Sequence, residues 1–178
     1  MDETTIRRLT EEDVDIFRAM RLEALRTEPA AYASTAADWE KLSADEWRTR
    51  LTQNNVFAAF WNDAPVGIMG LMRQGSSKMA HRATLIMVYV RAEARGTGIA
   101  RALLEAVKSF AGDNGIRQIE LAVSAENPAA ASFYKRAAFF ADRMRAGRDF
   151  ARGPGNRRYH DGLSCGCRRQ RIGIGSSR

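Results

Sequence analysis

A chain of 178 residues, 45% hydrophobic and 28% charged, has the length of one globular domain, and none of its apolar runs approaches the roughly 20 residues that span a membrane. Its net charge of +7 makes no case for a polyanionic partner of the body: residues 1–140 hold 18 Lys+Arg against 18 Asp+Glu, while residues 141–178 hold 10 Arg, no Lys and 3 Asp. Two cysteines, Cys165 and Cys167, are too few for a disulfide framework and lack a second ligand pair for zinc, so no metal is expected; a polar N-terminus without an apolar stretch predicts a cytoplasmic protein.

In chain order, TTIRRLT reads as a short strand, and Thr10 with Glu12 and Asp13 caps a helix over about 11–26, whose Ile16, Phe17, Met20, Leu22, Ala24 and Leu25 largely keep helical spacing. After a break at TEPAAYAST, Ser43 and Glu46 have the spacing of a capping box and open a second helix through Trp47 and Leu51. NVFAAFW, the turn NDA and PVGIMGLMRQ form a hairpin, and HRATLIMVYV is a further strand. A helix follows over about 98–113 and stops at GDNG. IRQIELAV alternates as a strand, NPAAASFYKRAAF is a helix with Pro128 in its first turn, and Phe139 and Phe140 begin another strand. The order is β-α-α-β-β-β-α-β-α-β, a mixed α/β domain without an internal repeat.

RGTGIA lies between the strand ending at Val90 and the helix that begins near Gly98. Backbone N–H groups at a helix start have no intrahelical partners and carry the positive end of the macrodipole, which suits phosphate oxygens. Gly96 and Gly98 have no Cβ to keep a pyrophosphate off the main chain, and Arg95 can add charge-assisted hydrogen bonds. A glycine turn before a helix is also often simply a turn. Neither a G-K-[ST] ending nor a third glycine with a following acidic residue is present, so a nucleoside triphosphate or a dinucleotide is not the ligand indicated.

These residues resemble the acyl-CoA-binding motif of the GNAT superfamily of N-acyltransferases. In MVYVRAEARGTGIARALLEAV the signature Q/R-x-x-G-x-G/A is met by Arg95, Gly98 and Ala100; NPAAASFYKRAAF is similar to the family's next motif, through Asn127, Ala130, Phe133 and Tyr134. The resemblance covers about residues 4–140 and implies a mixed, mostly antiparallel sheet flanked by helices. It further implies acetyl-CoA as co-substrate. Pantetheine would bond the main chain of Met87, Val88, Tyr89 and Val90 as an added strand, and the pyrophosphate would rest on Arg95, Gly96, Thr97, Gly98, Ile99 and Ala100. An N–H near Val88 would polarise the thioester carbonyl. The implied reaction is transfer of the acetyl group to a primary amine of a small molecule or peptide.

Tyr134 matches the family's general acid for the departing sulfur, and its plainer reading is an anchor of helix to sheet. Asn127 can cap its helix while touching the cofactor arm. For a base, His81 has a suitable pKa class but stands roughly 30 Å of extended chain from Val90. Glu28, Tyr32, Ser34 and Glu40, near the connection of the first two helices, are candidates for the acceptor pocket, and a water chain is the remaining route for the proton. We expect residues 1–140 to form the N-acetyltransferase domain and residues 141–178 an atypical Arg/Gly-rich segment. In that segment YHDGL precedes SCGCRRQRIGIGSSR, which lacks the apolar run of a closing strand, so the last strand is expected to be missing or irregular. That expectation keeps an acyl-CoA-binding module or weakly active paralogue as the alternative function, leaves room for a homodimer through the unfinished edge, and does not favour nucleic acid, since the basic tail lacks interleaved aromatics.

Overall fold

The computed structural model describes residues 3–124, 127–141 and 167–174. Its elements are β1 (Thr4–Arg8), α1 (Val14–Thr27), α2 (Ala36–Glu40), α3 (Ala44–Gln53), β2 (Val56–Trp61), β3 (Ala64–Arg73), β4 (Arg82–Val90), α4 (Ile99–Asp113), β5 (Gln118–Ser124), α5 (Pro128–Arg136), β6 (Phe140–Ala141) and β7 (Cys167–Gly173). The strands form one seven-stranded sheet in the order β1-β2-β3-β4-β5-β7-β6, antiparallel throughout except for β4 beside β5.

Local chemistry sets the boundaries. Asp13 Oδ2 accepts from the Thr10 N–H at 2.8 Å, and a 3₁₀ turn over Glu11–Asp13 leads into α1. The Ser43–Glu46 box is closed both ways, Ser43 N–H to Glu46 Oε2 at 2.8 Å and Glu46 N–H to Ser43 Oγ at 3.2 Å, and starts α3 as its spacing predicts. Asn62 and Asp63 both have positive φ, 48° and 65°, the conformation that a two-residue hairpin between β2 and β3 requires. α2 is unexpected from sequence: it lies between the predicted break TEPAAYAST and the Ser43 cap, started by Thr35 Oγ1, which accepts from the Asp38 N–H at 3.2 Å.

Each face of the sheet carries its own core. On one, Leu103, Leu104 and Val107 of α4 pack with Tyr134 and Phe139 against Leu71, Leu85 and Ile119. On the other, Phe17, Met20 and Leu25 of α1 pack with Trp39 and Trp47 against Ala58, Ile68 and Tyr89. Phe17, Trp39 and Trp47 contact one another with ring centroids 5.1–6.2 Å apart.

The closing strand corrects the expectation of a missing or irregular last strand. β7 pairs with β5 over seven registered positions, from Gln118 opposite Gly173 to Ser124 opposite Cys167, and holds β6 on its other edge. An apolar run is not needed, because ladder bonds come from the main chain and one inward side chain can seat the strand. Ile172, 7% exposed, enters the α4-side core, and Ile174 packs on it. On the opposite side of the strand Arg171 meets Glu120 at 3.3 Å, and Glu120 also answers Arg82 at 3.7 Å. YHDGL and the rest of 142–166 lie outside the described residues.

Candidate functional site

The site begins where two neighbouring strands part. β4 and β5 pair only at Arg82–Gln118, Ala83–Ile119 and Thr84–Glu120, although β4 continues to Val90 and β5 to Ser124. Past Thr84, among the described residues, the β5-facing edge of β4 has no strand beside it, an edge whose main-chain groups suit an extended ligand. On the β3 side the register steps from Gly70–Ile86 to Ile68–Tyr89, a bulge that sets Met87 and Val88 against Met69. The bulge changes the faces: Ala83 and Leu85 join the α4-side core, whereas Met87 and Tyr89 join the α1-side core. Met87 has φ +54°, a left-handed conformation that costs a non-glycine residue about 1 kcal/mol.

The chain leaves β4 through a 3₁₀ turn at Ala92–Ala94 and enters α4 through the glycines. Gly96 has φ +79° and Gly98 φ +95°, and a Cβ at either would meet no atom within 4 Å. Both positions therefore face open space, immediately before the unbonded N–H groups of a 15-residue helix. Ile99, 4% exposed, fixes the helix start in the core, Ala100 packs against the same core, and Thr97 Oγ1 donates to Ala94 O at 2.7 Å. Arg95 is differently placed from the reading that aimed it at phosphate. Its Nε donates to Val90 O at 2.9 Å and its Nη2 pairs with Glu28, so the guanidinium ties the turn to the end of α1.

Tyr134 is buried, with its ring edge-on to Phe133 and Phe139 at 5.1 and 5.5 Å. The anchoring role is thus visible in the packing. Burial, with a smaller contribution from the Tyr32 phenol, pushes its pKa above the ordinary tyrosine value, so at neutral pH it is a proton donor. Asn127 Oδ1 accepts from the Ala130 N–H at 3.0 Å and caps α5. Across the sheet, Tyr32 reaches in from the connection between α1 and α2, and its hydroxyl donates to Val88 O in the bulge at 2.7 Å.

Beside the end of β4 lies a cleft of about 430 Å³ whose lining includes Glu23, Thr27, Glu28, Tyr89, Arg91 and Arg95. Arg91 holds Glu23 through two bonds of 2.7 Å, and Tyr89 OH donates to the same carboxylate at 3.0 Å. The Arg91 bond, ahead of the Tyr89 bond, keeps the Glu23 pKa below its ordinary value despite burial. Sequence reasoning missed Glu23, Thr27 and Arg91. The only signal was that Glu23 and Thr27 share one helical face by their spacing; their partners lie more than 60 residues away. Of the other candidates, Glu28 and Tyr32 are at the site. Glu40 pairs with Arg26 away from the cleft, Ser34 does not line it, and His81 is exposed at the opposite end of β4, its carbonyl accepting from Arg117 N–H at 2.8 Å.

Comparison with known proteins gives a consistent picture. Residues 17–139 match the acetyltransferase (GNAT) family. An uncharacterized N-acetyltransferase of Methanocaldococcus jannaschii is 30% identical over 137 residues, which span 76% of this chain and 60% of that relative's length. Among solved structures, a GNAT-family acetyltransferase from Streptococcus pneumoniae superposes with a TM-score of 0.73 at 20% identity, covering 97% of this chain and 100% of its own. The PaiA N-acetyltransferase of Thermoplasma acidophilum, solved in complex with coenzyme A, gives 0.70 at 19% identity over 96% and 99%.

Proposed function

Because the chain belongs to the GNAT acetyltransferase family, we propose that it transfers an acetyl group from acetyl-CoA to a primary amine of a small molecule or peptide by direct attack on the thioester. The observation that carries this reading is the opening between β4 and β5 past Thr84, placed next to a glycine turn whose absent Cβ atoms leave open space before a helix N-terminus. An extended arm ending in a pyrophosphate fits that pair of features, and the coenzyme A bound in the PaiA structure supports the same ligand class here.

Acetyl-CoA supplies the activated acyl group; the chain's own residues bind and orient it. In this reading the main chain of Met87, Val88, Tyr89 and Val90 bonds the pantetheine arm, and an N–H near Val88 faces the thioester carbonyl. The main chain of residues 95–100 receives the pyrophosphate. The acceptor must lose a proton, since an alkylamine with pKa near 10.4 is mostly ammonium at neutral pH. That proton leaves to water; Tyr134, protonated at neutral pH, donates its own proton to the departing sulfur and is reprotonated from water. Asn127 acts here first as the cap that sets the start of the Tyr134 helix.

We also assign residues 1–140 to the acetyltransferase domain, whose sheet the C-terminal segment 141–178 completes through β7, and keep a cytoplasmic location as part of the reading. The binding-only alternative drew its motive from a missing last strand, and β7 removes that motive. Thiol release from acetyl-CoA over a panel of amines and amino-terminal peptides tests the proposal. Amine-dependent release is the expected result; a protein that binds acetyl-CoA and releases no thiol with any amine is a binding module instead.

A further inference from the structure

Val88 O, in the bulge, accepts from a side chain of the α1 face, Tyr32 OH at 2.7 Å, and that side chain is itself well held. Arg21 of α1 is only 2% exposed, although a charged residue is costly to bury. Its guanidinium carbon lies 4.7 Å from the Tyr32 ring centre and 4.5 Å from that of Trp39, so the two aromatic rings flank a buried cation. Trp39 is itself locked against Phe17 and Trp47. Replacing a buried cation by an apolar side chain of similar volume is commonly neutral or stabilising, so bulk packing alone does not account for an arginine at this position.

We propose that Tyr32 is a positioning residue for the reacting thioester: its hydrogen bond to Val88 O fixes the bulge peptide, and Arg21, stacked between Tyr32 and Trp39, fixes Tyr32. The inference rests on the assignment of the β4/β5 opening as the acyl-CoA site. Its logic is that a peptide unit is a rigid plane. Holding the Val88 carbonyl therefore also holds the Tyr89 N–H on the other side of the same plane. The Ile68–Tyr89 register turns that N–H toward β3, so the bulge that presents Val88 to the opening is fixed from both sides. The neighbouring left-handed Met87 is a conformation that relaxes unless its surroundings hold it, and the Tyr32 bond is one such restraint. Burial keeps the Tyr32 phenol protonated well above neutral pH, so the donor is present throughout the working range.

The sequence offers a direct probe. Val88–Tyr89 is the only Val-Tyr pair in the chain, so protein labelled with carbonyl-¹³C valine and ¹⁵N tyrosine gives a single cross-peak reporting both ends of this peptide. The cross-peak, acetyl-CoA affinity and steady-state kinetics are measured for the full chain, Tyr32→Phe and Arg21→Met. Tyr32→Phe removes only the hydroxyl and keeps the ring, so it remains informative if the buried Arg21 variant is poorly folded. The expected result is that both variants move the Val88 carbonyl resonance in the same direction. Each should lower kcat by about 10-fold to 100-fold, as for a misplaced reacting group, while KM for acetyl-CoA and its Kd stay within about threefold. An unmoved resonance in Tyr32→Phe overturns the proposal, as does a moved resonance with unchanged kcat, which is the outcome for a merely structural contact. An unmoved resonance in folded Arg21→Met overturns it as well, because the clamp runs through Arg21. If the wild-type chain binds acetyl-CoA but releases no thiol, the failure is that of the transferase reading; the Val88 resonance then decides the clamp, which stands only if both variants shift it.

Discussion

Gly98 and Tyr134 show two different ways in which a residue type is informative. Gly98 was legible from sequence because the absence of a side chain is the property the position uses: φ is +95° and a Cβ would enter open space. Tyr134 was legible only through its motif; in the structure its ring anchors α5 and its hydroxyl is buried, and the acid role is the one proposed above. Tyr134→Phe keeps the ring contacts and removes the acid. The account predicts a fall in kcat of about 10²-fold with little change in thermal midpoint. Steady-state kinetics beside a thermal melt check this, and an unchanged kcat would leave only the anchor. Arg95 shows what spacing does not carry: the side chain expected to add hydrogen bonds to a pyrophosphate also bonds Val90 O and Glu28. Sequence gives no view of a partner 67 positions away.

At the scale of elements, legibility followed local chemistry. Where an end is set by groups three residues apart, as at Ser43 and Glu46, the sequence shows it. Where an element is short and held by tertiary burial, as α2 is by Trp39 at 7% exposure, the sequence does not show it. The bulge at Met87–Val88 belongs to the pairing of β4 with β3, and neither strand alone announces it. The join between β1 and α1 carries a pH prediction. Asp13 accepts two bonds from Arg7, at 2.7 and 2.8 Å, and the Arg7 bond is the main cause holding its pKa well below the ordinary carboxylate value. A depressed folded pKa adds stability that is complete above the unfolded value near 3.9 and is lost as pH falls toward the folded one. Asp13→Asn should therefore lower stability at pH 7 and flatten its decline below about pH 4. Denaturant unfolding across pH 2–7 measures both, and parallel acid limbs for the two proteins would contradict the linkage.

For the whole molecule, the order of most elements followed from periodicity, because alternating strands and amphipathic helices must bury one side each, whereas the sheet flanked by helices entered through the family resemblance. The separation of β4 from β5 did not; the resemblance implied an added strand of pantetheine along Met87 to Val90, and the structure shows three paired positions of β4 and β5 followed by none. β7 was not legible because its sequence lacks an apolar run, whereas the strand pairs through its main chain and seats Ile172 in the core. If that is so, Ile172→Ala should cost about 2 kcal/mol, as expected for truncating a buried aliphatic side chain. An effect below about 0.5 kcal/mol in denaturant unfolding would mean that Ile172 does not seat β7 in the core.

The measurement that bears most directly on the function is calorimetric titration of the full chain with acetyl-CoA, in parallel with Gly98→Glu. The account predicts saturable binding by the wild-type protein and a loss of at least about tenfold, or 1.4 kcal/mol, in a variant that is still folded, because the carboxylate would project into the space assigned to the pyrophosphate. Equal binding by both proteins would move the pyrophosphate away from the glycine turn, and no binding by folded wild-type protein would contradict the acyl-CoA assignment itself.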